Sequence, residues 1–285
     1  KDRDTFYEIG VSGLRELIAL YEGFRQYQDS LFSVSSKDFE RAVESKEVNK
    51  NLDHTIEKFL LRLSPYFLLQ SSHKALEWLV NRLSSVIADK LKGLFVLFAG
   101  HFVKNAAELL DACNNSKTEE LVFDSEEKNI ALVNNIIKTL QIVFLYDTQS
   151  FLNKSRFETL MQPVVDQLEN TLGGVAGLKS RATELLIPCI SQFAVAIADD
   201  SLWKLLNYQI LLKTRHNDSE IRLTALECLV AMASQLGSNW LPLLAESVPF
   251  LAELLEDGDP RIEAATKNAV RTLEQILGEP LEKYF

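Results

Sequence analysis

The stretch Asp218-Ser-Glu-Ile221-Arg-Leu-Thr-Ala-Leu-Glu-Cys-Leu229 is echoed, 41 positions on, by Asp259-Pro-Arg-Ile262-Glu-Ala-Ala-Thr-Lys-Asn-Ala-Val270. The same shift lays Ile221 on Ile262, Leu229 on Val270, Met232 on Leu273, Leu236 on Leu277 and Gly237 on Gly278. Self-similarity at this spacing marks a stacked helical repeat of the HEAT or armadillo type. Each unit of such a repeat cannot bury its apolar face alone, so it packs on its neighbours and offers surface rather than a cleft.

Outward from that pair, the helical period continues through most of the 285 residues. The spacing predicts helices over 201–213, 221–236, 241–255 and 261–277, with Pro242 at a helix start and Pro249 inside a helix. Towards the N-terminus come a helix over 179–197 with Pro188 in its middle and a stripe through Leu185, Ile190 and Val195. Before it lies one over 155–172, bent at Pro163 and ended by Gly173-Gly174. Residues 129–144 read as a long amphipathic helix, 114–128 as a polar acidic loop, and 91–110 as an apolar helix kinked near Gly100. Further helices are expected over 4–24, 36–43, 51–63 and 71–83. No segment alternates with a period of two, so the expected fold is all-α: an α-solenoid of antiparallel helix pairs.

Composition agrees. Apolar residues make up 47% and charged residues 25%, a globular balance. Three cysteines, Cys113, Cys189 and Cys228, are too few and too scattered for a disulfide framework or a zinc cluster, and read as small core residues of a reducing compartment. No stretch reads as a signal peptide or as the ~20 apolar residues that cross a bilayer. The net charge of −10 makes a poor non-specific binder of nucleic acid, whose phosphates are held by Lys and Arg. The charge is uneven: 13 basic against 14 acidic side chains in residues 1–90, 17 against 26 in residues 91–285. Within the acidic part, Lys204, Lys213, Arg215 and Arg222 form a local basic spot. An acidic body with one such spot suits protein contacts better than an RNA groove.

Catalytic patterns fail on inspection. Gly173-Gly-Val-Ala-Gly-Leu178-Lys179-Ser180 approaches a phosphate-binding loop, but Leu178 stands where a glycine is required and a helix precedes it instead of a strand. Ser12 lies between Gly10 and Gly13, and Leu14 stands where a nucleophile elbow needs glycine. The histidines, His54, His73, His101 and His216, make no metal pattern. The acid pairs Glu119-Glu120, Glu126-Glu127 and Glu256-Asp257 fall in expected loops, whereas Asp199-Asp200 precedes a helix as a cap. The chain is therefore read as no enzyme, with no cofactor and no catalytic or metal residue. Trp203, Tyr208, Lys213, Arg215 and Arg222 are the candidates for a protein interface, because aromatics and arginine at a helix end are what anchors are made of. The competing reading packs Trp203 and Tyr208 between neighbouring repeats.

The chain also resembles a known family. Glu47-Val-Asn-Lys-Asn-Leu-Asp53, Ser64-Pro-Tyr-Phe-Leu-Leu69 and His73-Lys-Ala-Leu-Glu-Trp-Leu79 are similar to the N-terminal region of the U3 small nucleolar RNA-associated protein 10 family. Val165-Asp-Gln-Leu-Glu-Asn170, Ile187-Pro-Cys-Ile190, Asp199-Asp-Ser-Leu-Trp203, Leu206-Asn-Tyr-Gln-Ile-Leu-Leu-Lys-Thr-Arg215, Pro249-Phe-Leu-Ala-Glu-Leu254 and Leu277-Gly-Glu-Pro-Leu281 through Tyr284-Phe285 resemble its C-terminal domain. The first resemblance stops near Leu83 and the second begins near Val86, without the long array of repeats that separates them in the family. The chain is thus expected to be either an internally shortened form or fusion, or two parts of a longer chain. Two helical bodies follow, 1–85 and 86–285, with a boundary at about 84–90.

The resemblance implies a non-catalytic scaffold in the nucleolus. It implies membership of the early small-subunit processome subcomplex, needed for pre-rRNA processing toward 18S RNA and linked to transcription of ribosomal DNA. Other proteins of that subcomplex are the implied partners, with U3 ribonucleoprotein and pre-rRNA contacted indirectly or weakly, and with neither membrane nor small-molecule substrate. The repeat period by itself admits a generic helical-repeat adaptor of the transport or phosphatase-scaffold type.

Overall fold

Helix starts are marked by side chains that accept the first free backbone N–H groups, and those marks place the elements. The computed structural model describes residues 84–281, apart from 86–87, 90–91, 97–98, 119, 121, 124, 149 and 279. They lie in one unit, Glu77–Phe285. The helices expected before residue 84 lie outside the described residues, as do Ser12, His54 and His73.

In chain order the helices are α1 (Gly93–Val96), α2 (Ala99–Ala112), α3 (Glu126–Leu145), α4 (Lys154–Val165), α5 (Gly174–Arg181), α6 (Ile187–Ile197), α7 (Asp200–Lys213), α8 (Ser219–Leu236), α9 (Leu244–Leu255) and α10 (Pro260–Leu277). A 3₁₀ turn, Asp166–Glu169, extends α4; a π turn, Ala182–Leu186, joins α5 to α6; and a 3₁₀ stretch, Gly237–Leu243, leads into α9. The described residues contain helices and no strand.

The packing is that of a solenoid. Helices α3, α6, α8 and α10 stack side by side in one layer, while α2, α4, α7 and α9 form the other; α7 pairs with α8 and α9 with α10. The core runs continuously between the layers. Phe144 of α3, Phe157 of α4 and Phe193 of α6, at most 1% exposed, meet at its centre. The Phe144 and Phe193 ring centroids are 4.8 Å apart, and those of Phe157 and Phe193 are 5.1 Å apart and stacked. Stacked and tilted aromatic pairs at these distances add about 0.5–1.5 kcal/mol to the area they bury.

The 41-residue echo is structural. Asp218 accepts from Glu220 N at the start of α8, and Asp259 accepts from Arg261 N at the start of α10. Ile221 and Ile262 are both buried, as are Met232 and Leu273. Both helices end on a glycine with positive φ, Gly237 at 57° and Gly278 at 74°, a backbone that other residues adopt only with strain.

Several expected boundaries move. Of the apolar helix expected over 91–110, the described residues are helical over Gly93–Val96 and Ala99–Ala112, and Gly100 lies within α2. Helix α3 begins three residues early because Ser125 caps it, accepting from Lys128 N, and Glu126 and Glu127 belong to its first turn. Their carboxylates look like loop charge in sequence but favour a helix N-terminus. Pro188 lies, as expected, within an unbroken helical run over 174–197, directly after its π turn, a local widening that accommodates a residue with no N–H to donate. Val195 is 38% exposed and does not join the buried stripe. Pro242 falls inside the 3₁₀ stretch rather than at the start of α9.

Candidate interaction surface

The five interface candidates lie on α7, in the turn that follows it and in the first turn of α8, and the structure divides them sharply. Trp203 is buried: its indole N–H donates to Ala194 O at 2.7 Å, tying α7 back to α6. Lys213 is also buried, and its Nζ lies 2.7 Å from both Asp166 Oδ1 and Glu169 Oε1 in the preceding repeat. Arg222 reaches forward, its Nε and Nη2 each donating at 2.8 Å to the Asp257 carboxylate, while Nη1 donates to His216 O and Asn217 O. Arg215 forms a second forked pair, Nε and Nη2 to Glu253 at 2.7 and 2.5 Å, with its guanidinium 4.0 Å from the Phe250 ring centroid. Tyr208 meets the same ring edge-on at 6.4 Å and stays 43% exposed.

Three of the four cations of the basic spot expected from composition are paired: Lys213, Arg215 and Arg222 each face a carboxylate of an adjacent repeat, while Lys204 is exposed on α7. Glu256-Asp257 is likewise not simply solvated, since Asp257 is half-buried under Arg222. Hydrogen bonds from Arg222 are the main cause that lowers the Asp257 carboxyl, and those from Arg215 do the same for Glu253.

Asp166 is the hub of this network. Its carboxylate takes Lys117 Nζ at 2.6 Å, Lys213 Nζ at 2.7 Å and Gln162 Nε2 at 2.7 Å, while its carbonyl accepts from Asn114. Burial alone would raise its pKa; the two lysines outweigh burial and hold it below the ordinary carboxylate range. Beside it Gln167 donates to Leu110 O and Asn170 to Cys113 O, so the turn after α4 closes the C-terminal end of α2. Arg181, 3% exposed, donates to Leu172 O and Asn170 O; burial lowers its pKa to about 10. Asn207 continues the series toward α9, donating to Glu246 and Ser247.

The near-miss phosphate loop is helix α5. Gly173 supplies the left-handed turn before it (φ 80°), and its N–H is already taken by Glu126 Oε1 at 2.9 Å. Among the described residues no group of three His, Cys, Asp or Glu side chains is placed to hold a metal ion, and no helix is long and apolar enough to cross a membrane.

Besides Asp200, Ser201 and Lys204, α7 leaves three large apolar side chains to solvent. Leu205, Tyr208 and Leu212, at i, i+3 and i+7, are 49%, 43% and 37% exposed. This spacing was available in the sequence, but the leucines there are indistinguishable from core positions. Asp166, Asn207 and Glu253 were missed for another reason: their partners lie 38–47 positions away or nearby in other turns, which no local pattern connects.

The comparisons with known proteins agree with this architecture. Residues 69–152 match the BP28CT (NUC211) domain, of which the part from 84 onward is described above. The chain is 53% identical over 206 residues to HEAT repeat-containing protein 1 of Homo sapiens, covering 71% of this chain and 10% of that protein. To the HEAT repeat-containing protein 1 homolog of Drosophila melanogaster it is 46% identical over 202 residues, 71% of this chain and 9% of that one. To U3 small nucleolar RNA-associated protein 10 of Pyricularia oryzae it is 30% identical over 197 residues, 68% and 10%. These names denote a repeat and an association, and none denotes an enzyme. The chain thus spans about a tenth of the length of these relatives, and over that span it belongs to the family of HEAT repeat-containing protein 1 and U3 small nucleolar RNA-associated protein 10.

Proposed function

We propose that this chain is a non-catalytic scaffold of ribosome biogenesis, acting in the nucleolus among the proteins of the early small-subunit processome subcomplex. In this reading it holds assembly proteins during pre-rRNA processing toward 18S RNA, with a link to transcription of ribosomal DNA. The observation that carries it is the 53% identity over 206 residues to HEAT repeat-containing protein 1, joined to the name of the fungal relatives. The chain contributes surface, through Leu205, Tyr208, Leu212 and the outer edge of Arg215, while Trp203, Lys213 and Arg222 fix the helices that present it. RNA is contacted weakly or through partners, a reading supported by the pairing of Lys213, Arg215 and Arg222 with carboxylates. The chain is organised as two helical bodies, 1–85 and 86–285.

Affinity purification of the tagged chain from nucleolar extract tests this. Recovery of small-subunit processome proteins is expected, reduced by Tyr208→Ala with Leu212→Ser. Recovery of transport receptors or phosphatase subunits in their place would replace the reading with a generic adaptor.

A further inference from the structure

A groove of roughly 350 Å³ crosses the layer formed by α3, α6 and α8, whereas α7 with its exposed stripe belongs to the other layer. Three successive helices each place one glutamine in it: Gln141 from α3, Gln192 from α6 and Gln235 from α8. Among the described residues none of these carboxamides has a hydrogen-bond partner. The floor between them is apolar, made of Ile187, Pro188 and Ala231. Ser191 and Ser234 also line it, but their hydroxyls donate back to Ile187 O and Val230 O and so offer only acceptor lone pairs. No charged side chain lines the groove, although the whole chain carries −10. Two helical turns before Gln141 on the same face of α3, Asn134 Oδ1 is buried and also without a partner.

From this we infer that the amide-lined groove binds an extended, uncharged peptide segment of another protein through its main chain. A carboxamide presents a donor and an acceptor together, which matches the C=O and N–H of one peptide unit. Neighbouring helix axes stand about 8–10 Å apart, and an extended chain advances about 3.3 Å per residue, so a strand laid across the helices meets a new glutamine about every third residue. Side chains between those points turn down onto Ile187, Pro188 and Ala231 or out to water. Nucleic acid is a poor occupant, because the groove offers phosphate no cation. A charged peptide would be desolvated there without a counter-charge. The inference is independent of the ribosome-biogenesis reading: it concerns what the groove holds in any assembly.

A random 12-residue peptide library displayed on phage and selected against the full 285-residue chain tests it, with enriched sequences synthesised and titrated by calorimetry. The expected binders carry no charge at their central residues. Gln192→Ala should weaken them about three- to tenfold, the loss of one or two net hydrogen bonds, and the triple change at Gln141, Gln192 and Gln235 should weaken them about thirty- to a thousandfold. N-methylation of a central backbone N–H should cost a similar factor to Gln192→Ala, and Leu205→Ser should cost nothing. Gln235 is exposed and Gln141 and Gln192 are half-buried, none of them in the core, so unchanged circular dichroism and melting temperature are required of each variant. No enrichment, binders that need charge, or binders indifferent to the glutamine changes but lost with Leu205→Ser would each overturn the inference.

Discussion

Lys213 Nζ sits 2.7 Å from Asp166 Oδ1, joining residues 47 positions apart, and the other Asp166 oxygen holds Lys117 at 2.6 Å. One carboxylate thereby links three consecutive helix pairs: the turn after α2, the turn after α4 and the end of α7. The series continues through Arg215 with Glu253, Arg222 with Asp257, and Arg261 with Glu220. Apolar burial stacks the helices, but it is non-directional; these cross-links at the turns set the register of each pair on the next.

Asp166→Asn should destabilise the chain by about 3 kcal/mol, the low end for removing one partner of a buried pair, because Lys213 keeps Glu169 and Lys117 keeps Asp111. The folded pKa of Asp166 is below its ordinary value of 3.8. Its contribution is therefore complete above the unfolded value and disappears as pH falls through the lower folded one. Asp257 and Glu253 act in the same direction. Urea melts between about pH 5 and pH 2 should show falling stability, with a shallower fall in Asp166→Asn. Identical pH profiles for the two proteins would show that Asp166 is not the hub.

Leu229 and Leu254 lie between layers and are at most 2% exposed. Replacing either with alanine should cost about 2–5 kcal/mol. Denaturant unfolding checks this, and an unchanged midpoint in either variant would mean that the repeat register is wrong.

The purified chain should bind structured RNA only weakly, with a shallow salt dependence, because Lys213, Arg215 and Arg222, three of the four cations of the basic spot, are already paired. Tight binding that falls steeply with salt and disappears in the Lys213→Glu, Arg215→Glu double variant would contradict it. A filter-binding titration at two ionic strengths separates these outcomes.

Cys113, Cys189 and Cys228 are buried and form no disulfide, and burial raises the Cys189 and Cys228 thiol pKa values. A thiol reagent such as DTNB at pH 8 should label all three only as fast as the fold opens, in step with global unfolding. Rapid labelling of Cys189 or Cys228 in the native state would exclude the core described here.

Much of the fold was legible in the sequence because helical repeats write their core as a period. Ile221, Leu229 and Met232 could be placed inside from spacing alone, and Gly237 and Gly278 could be read as stops. What stayed hidden was nonlocal or depended on sign. Glu126 and Glu127 read as loop charge because only the Ser125 cap shows that they open a helix. Lys213, Arg215 and Arg222 read as a free basic spot because composition counts charges and cannot see Asp166, Glu253 and Asp257 brought beside them. Trp203 satisfied an interface pattern while serving as a bolt to Ala194. The glutamine groove had no signature, since Gln141, Gln192 and Gln235 are 51 and 43 positions apart and follow no common period.

The central claim is that charged side chains at the turns serve to lock one helix pair to the next. A double-mutant cycle on Arg222→Ala and Asp257→Ala, read by equilibrium denaturant unfolding of the full chain, tests it most directly. The bidentate, largely buried geometry predicts a coupling of about 1–2 kcal/mol between the two changes. Strictly additive losses, with no coupling, would show that the pair is ornamental and that apolar packing alone sets the stack.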